Sequence, residues 1–230
     1  MKQYQNAWQA VWRRIDELAA RCGRNVKEIS LLAVSKQFPP EAVRRLYVLG
    51  QRRFGENYVQ EARDKQQALT DLADLSWTLI GPLQRNKAAL AARIFDRVET
   101  VDSLELAKRL SAARPVDLPP LEVLIQVNIS AEPQKSGVMA EMAVALAGQI
   151  ACLPRLRWCG FMGIAAETDD VAEQRRQFAL LRQCQMQART AGLSVEVLSM
   201  GMSADLAAAI AEGSTEVRLG SALFGQRPEK

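Results

Sequence analysis

Apolar and polar residues along this chain switch repeatedly between a helical period and short continuous apolar runs. An amphipathic stretch from Gln3 to Arg21 predicts an opening helix that stops near Gly23. The run 29–35 (ISLLAVS) has the composition of a buried strand, and Pro39-Pro40 after it start a helix with Val43, Leu46 and Leu49 on one face. The pattern then repeats. Predicted strands cover 52–55, 77–81, 97–101, 121–129, 156–164, 195–199 and 216–219. Helices are predicted between them: from about Asn57, through 88–92, from Ser103 with Asp102 or Ser103 as its cap, through 139–150, over 170–191, and from Ala204 with Ser203 as its cap. A short last helix opens at 221–224. Eight strand–helix units in sequence predict an α/β fold, a single (β/α)8 TIM-type barrel with an extra N-terminal helix, and one domain over residues 1–230. An open doubly wound sheet is the alternative, but it calls for a glycine-rich phosphate loop after the first strand. SKQFPP (35–40) stands there instead.

Composition narrows the chemistry. The chain has 230 residues, 48% hydrophobic and 24% charged, enough for a substantial core. No apolar run reaches membrane-spanning length, and the first residues lack a signal peptide's apolar stretch, so a cytoplasmic protein is expected. Cys22, Cys152, Cys159 and Cys184 form no CxxC pair, which argues against a disulfide framework or zinc site. The net charge of +4 is dispersed, and its densest cluster (Arg13, Arg14, Arg21, Arg24) reads as a solvated helix face. Nucleic acid and membrane are therefore not expected partners. The chain contains no histidine, which excludes Ser-His-Asp and Cys-His machinery and histidine-ligated metals.

In a barrel the C-terminal ends of all strands meet on one face. Here that face collects Lys36, Glu56-Asn57, Gly81, Asp102, Asn128, Met162-Gly163, 199–203 and Arg218-Gly220-Ser221. Lys36 either snorkels to the strand rim or is buried enough to lower its pKa and supply a nucleophilic amine. Ser203 and Ser221 each read alone as helix caps. Together, after the seventh and eighth strands, they read as a phosphate cradle. A Schiff-base lysine and a phosphate cradle on one face point to pyridoxal 5′-phosphate.

LLAVSK (31–36), GQRRFGENYVQE (50–61), WTLIGPLQRNK (77–87), IQVNIS (125–130), KSGV (135–138), LSMGMSADLAAAIAEGST (198–215) and VRLGSALFG (217–225) resemble the pyridoxal phosphate homeostasis proteins. These are single-domain relatives of the alanine racemase N-terminal barrel. The resemblance implies that Lys36 holds this vitamin B6 cofactor as an internal aldimine. It further implies that Ser203, Gly220 and Ser221 bind phosphate with help from the backbone around Met202. Arg218 is implied near the pyridine nitrogen and Asn57 near the ring. Thr78 stands where the family usually has histidine, and Ser221 where threonine is commoner.

Arg218 alternates with Val217 and Leu219, and a barrel has no edge strand on which to expose it. A guanidinium beside the pyridine nitrogen disfavours protonating it and leaves the ring a poorer electron sink. Racemisation also needs an acid/base on the second face, which two-domain racemases are implied to take from a tyrosine of a further domain. No tyrosine follows Tyr58 here. The expectation is a non-catalytic binder, a monomer, acting in cofactor homeostasis and amino-acid/keto-acid balance, with apoenzymes that use the cofactor as candidate recipients. A weak racemase and a cofactor-free Schiff-base aldolase remain the alternatives. KSGV reads equally as a mobile cover or a plain turn, Tyr58 as a core residue, and Met200 and Met202 as pocket wall.

Overall fold

A computed structural model describes residues 1–130, 132 and 135–226; the last four residues of the expected domain lie outside the described residues. Strands and helices alternate as β1 (Ser30–Val34), α2 (Pro40–Val48), β2 (Arg53–Glu56), α3 (Val59–Ala68), β3 (Ser76–Leu79), α4 (Ala88–Ile94) and β4 (Arg97–Val101). They continue as α5 (Leu104–Ala113), β5 (Leu121–Val127), α6 (Ala140–Ala151), β6 (Leu156–Gly163), α7 (Val171–Thr190), β7 (Val197–Ser199), α8 (Leu206–Ala211), β8 (Glu216–Leu219) and α9 (Ser221–Phe224). Helix α1 (Lys2–Arg21) precedes them. The strands close in sequence order into a parallel barrel, with Leu32 registered against Arg218 where β1 meets β8. The (β/α)8 expectation holds.

Strand alternation sorts the side chains. Ala33, Phe54, Leu79, Val98, Ile125, Phe161 and Leu198 face outward and join Leu46, Ala62, Ala91, Leu110, Ile150 and Leu181 from the helices in one core. Full burial of the Val, Leu, Ile and Phe side chains among them contributes about 1.5–3 kcal/mol each. Leu124 and Met162 lie with Cys159 in a small separate cluster on the other side of the strands. Among the described residues no helix is long and apolar enough to cross a membrane.

Two boundaries that shape the candidate site differ from expectation. Strand β5 stops at Val127, because the next N–H, that of Asn128, turns to the Val138 carbonyl. Helix α8 starts at Leu206, not Ala204, and Ser203 does not cap it. The carboxylate of Asp205 instead reaches back to accept the Met202 N–H at 2.5 Å and holds 202–205 as a turn. Ser103 does cap α5, accepting from the Leu106 N–H.

Candidate functional site at the barrel mouth

Arg218 occupies the barrel interior beneath the mouth and is only 4% exposed. Its guanidinium donates to the Ser199 hydroxyl at 2.7 Å and to the Gly163 carbonyl at 2.8 Å, so β6 and β7 fix its orientation. The Ser199 hydroxyl in turn donates a hydrogen bond to Glu99 at 2.6 Å. Burial, and then the carboxylate of Glu216, push Glu99 up to about 8. Burial acts on Glu216 in the same direction, but Arg53 at 2.7 Å and Arg97 outweigh it and hold Glu216 low. Of the two carboxylates, Glu99 is therefore the one that holds a proton more readily. The family-divergent Thr78 is fully buried, and its hydroxyl has no partner among the described residues.

Lys36 stands two residues past Val34, the last residue of β1, and is half-buried, between the snorkelling and the buried readings. Ser35 before it faces outward, its hydroxyl on Glu56 beside α3; strand alternation puts Lys36 on the mouth side. Beside it runs the loop after β8. A Cβ on Gly220 would stand 3.1 Å from the Val34 carbonyl oxygen, so glycine lets these loops approach without displacing the β1 backbone. Ser221 opens α9 and is exposed; helix geometry leaves the first N–H groups of α9 without an intrahelical acceptor.

The loop after β7 is set from both sides. Gly201 has φ of +103°, and a Cβ there would fall 2.6 Å from that of Ala209. Arg14 of α1 donates to the Ser203 carbonyl at 3.2 Å. Because a trans peptide aims its N–H opposite its carbonyl, the Ala204 N–H is turned away from α1. The Met202 N–H is donated to Asp205, which removes it from the phosphate donors the sequence implied there. Met202 itself is exposed, whereas Met200 is fully buried and fills core rather than pocket wall.

Two cavities adjoin at the mouth. One, of about 340 Å³, is lined by Asn57, Ile80, Thr100, Gln126, Asn128 and Lys135 among others. The other, of about 980 Å³, includes Met202, Asp205, Lys135 and Ile164. Asn57 and Met202 therefore reach the open mouth, but Lys36, Ser203, Arg218, Gly220 and Ser221 line neither cavity. KSGV is a fastened turn. Val138 bonds both Gln126 and Asn128, and the Asn128 side-chain amide donates to the carbonyls of Glu132 and Lys135. Gly137, at φ +118°, leaves no room for a Cβ above the Asn128 nitrogen. Tyr58 is 58% exposed at the start of α3, not in the core as expected.

The arginine cluster of α1 is more than a solvated face. Arg13 and Arg21 are exposed, but Arg14 holds the Ser203 carbonyl and Arg24 holds those of Ile210 and Ser214. Sequence reasoning also passed over Asp205 and Lys65. The acid at the start of α8 was a legible signal for the first; nothing local marked the second as buried.

A parallel barrel with a lysine at the first strand tip, a buried arginine on the eighth, and two glycine-bearing loops between defines the alanine racemase barrel class. The alanine racemase N-terminal-domain family matches residues 7–228. The chain belongs to the pyridoxal phosphate homeostasis proteins within it: the Escherichia coli K12 protein of that name is 49% identical over 221 residues, covering 93% of this chain and 92% of its own. PipY of Synechococcus elongatus, solved with PLP bound, is 39% identical with a TM-score of 0.78 over 92% of this chain and 99% of its own. An alanine racemase of Clostridium difficile shares the fold at a TM-score of 0.76 and 16% identity; this chain spans 58% of its length.

Proposed function

We propose that this protein holds pyridoxal 5′-phosphate at the barrel mouth and keeps it available within the cell, without sustained turnover. The observation that carries the reading is Arg218, a buried cation held by Ser199 and Gly163 directly below the mouth. The residues fit the cofactor's three recognisable parts. Lys36 supplies an amine at the strand tip. Gly220 admits the loop bearing Ser221 close to it, and this loop and the N–H groups of Ser203 and Ala204 form an anion cradle. Arg218 faces the ring nitrogen, and Asn57 the ring from the loop after β2.

When bound, the cofactor supplies an aldehyde that condenses reversibly with amines and an aromatic ring that can accept electrons. Arg218 acts against the second property. A permanently charged guanidinium keeps a proton off the adjacent nitrogen, which favours storage over chemistry at an amino-acid carbon. Homologues of 42–49% identity named as homeostasis proteins support the same reading.

A weak racemase is the second reading, and the placement of Tyr58 is what favours it. Of the three tyrosines, Tyr47 donates to Asp74 and Tyr4 packs edge-on against Phe224. Tyr58 alone stands exposed beside Asn57. One experiment separates the readings. Borohydride reduction of the yellow protein, followed by peptide mass mapping, is expected to mark Lys36 in wild type and nothing in Lys36→Ala. Solvent deuterium at the Cα of an added amino acid, lost in both Lys36→Ala and Tyr58→Phe, would establish the racemase. The cofactor's release to apoenzymes belongs to the same proposal, as do a single domain, a monomer and a cytoplasmic location.

A further inference from the structure

Behind the tip of β1, on the outer side of the barrel, lies a buried ion cluster that the proposed function does not use. Lys65 sits in the interior of α3, where a lysine is ordinarily solvated, yet it is 4% exposed. Its ammonium donates all three of its N–H bonds: to the Ser35 carbonyl at 2.6 Å, to Glu56 at 2.6 Å and to Glu61 at 2.7 Å. The Ser35 hydroxyl donates to the same oxygen of Glu56 at 2.5 Å. Glu61 accepts, in addition, the backbone N–H of Gln37 at 2.5 Å.

These bonds have one target. They take the backbone carbonyl immediately before Lys36 and the backbone N–H immediately after it. Gln37 is held at φ +66°, a left-handed conformation that a non-glycine residue adopts only where its surroundings impose it. Phe38 then donates its N–H to the same Ser35 carbonyl at 3.0 Å and stacks on Phe224 of α9, at the end of the β8 loop. A charge this buried is costly unless paired, and all three donors of Lys65 are used here. Burial pushes Glu56 up to about 6 against the pull of Lys65, the mark of a carboxylate that depends on its one cation.

We infer that Lys65, with Glu56 and Glu61, is a positioning device that clamps the peptide groups on both sides of Lys36 and so aims its amine into the mouth. The inference rests on Lys36 as the attachment lysine. The attachment forms a C=N bond between the amine nitrogen and the aldehyde carbon and releases water, so its rate depends on where the amine stands. Binding of the phosphate end depends on other loops.

The test uses the full chain as wild type, Lys65→Met, Lys65→Arg and Glu61→Gln, with two probes. Pyridoxal 5′-phosphate reports attachment through its visible band and borohydride trapping. Pyridoxine 5′-phosphate carries a hydroxymethyl group in place of the aldehyde and reports the cradle alone. In Lys65→Met the rate and yield of trapping at Lys36 should fall about tenfold or more, since small misplacements of a reacting group cost that much. Affinity for pyridoxine 5′-phosphate should be unchanged, and Lys65→Arg should restore part of the trapping. Glu61→Gln, at a partly exposed residue, should show the same split at about threefold, the size of one charge-weakened hydrogen bond. It decides the matter if Lys65→Met does not fold. Trapping at the wild-type rate in the variants, or equal loss of both probes, overturns the inference alone. A wild type that traps nothing on Lys36 overturns it together with the proposed function.

Discussion

The floor and the mouth of this barrel are built from similar polar side chains and treat them in opposite ways. At the floor, Glu216 receives Arg53, Arg97 and Ser30, while Arg97 also reaches Glu122, which Arg157 shares with Glu196. Positive and negative groups there are matched to one another around a fully buried Glu216, with Arg157 and Glu196 at the exposed rim. At the mouth, Ser203, Ser221 and Lys36 are half-buried or exposed, and the first N–H groups of α9 have no intrahelical acceptor. One end of the barrel pairs its charges with one another; the other is the end where the cofactor is proposed to bind. Only Arg218 belongs to both ends, tied downward through Ser199 to Glu99 and set directly beneath the opening.

The strongest way to break this contrast is Glu216→Ala. It removes the buried anion that Arg53 and Arg97 share, leaving Arg97 with Glu122 alone, and should destabilise the fold by about 3–5 kcal/mol, read as a lowered urea midpoint. A midpoint near wild type would mean that the floor is wet and no different from the mouth. Ser221→Ala should do the reverse. Stability should stay within about 0.5 kcal/mol, as for an exposed side chain. Affinity for the phosphate cofactor should fall about tenfold through loss of a charge-assisted hydrogen bond, measured by fluorescence titration. The smallest effect concerns pH. Glu99 binds its proton more tightly folded than unfolded, so its stabilising contribution is complete below the ordinary carboxylate range and is lost as pH rises through about 8. The melting temperature should decline over that window, and the decline should flatten in Glu99→Gln; an unchanged slope in the variant would place the proton elsewhere.

The strand pattern was legible where strands are long and flanked by turn residues, as in β5, and the order of elements needed nothing beyond local periodicity. Boundaries slipped where a distant partner decides them. β5 ends early because residue 138 returns to pair beside it, and α8 starts late because Asp205 binds backward. In the candidate site, Lys36 and Arg218 stood out because a charge at a strand end or between buried neighbours is anomalous in sequence. Lys65 carried no such mark. Val59–Ala68 is among the most polar helices of the chain, and its lysine four residues after Glu61 reads as an ordinary surface pair until the β1 tip is seen beneath it. Met200 and Met202 show the same limit: identical residues two apart, one sealed in the core and one open to the mouth.

The two arginines that tether α1 span nearly the whole barrel: Arg14 and Ser203 are 189 residues apart, and Arg24 and Ser214 are 190 apart. On the ribosome the first helix therefore emerges long before the loops it braces. Until then its apolar face, with Val11, Ile15 and Ala19, can meet α2 but not α8 or α9. Long-range closure of this kind comes late in folding. The first helix is thus fastened by the last quarter of the barrel, and the loops after β7 and α8 gain their brace only when both ends of the fold are present.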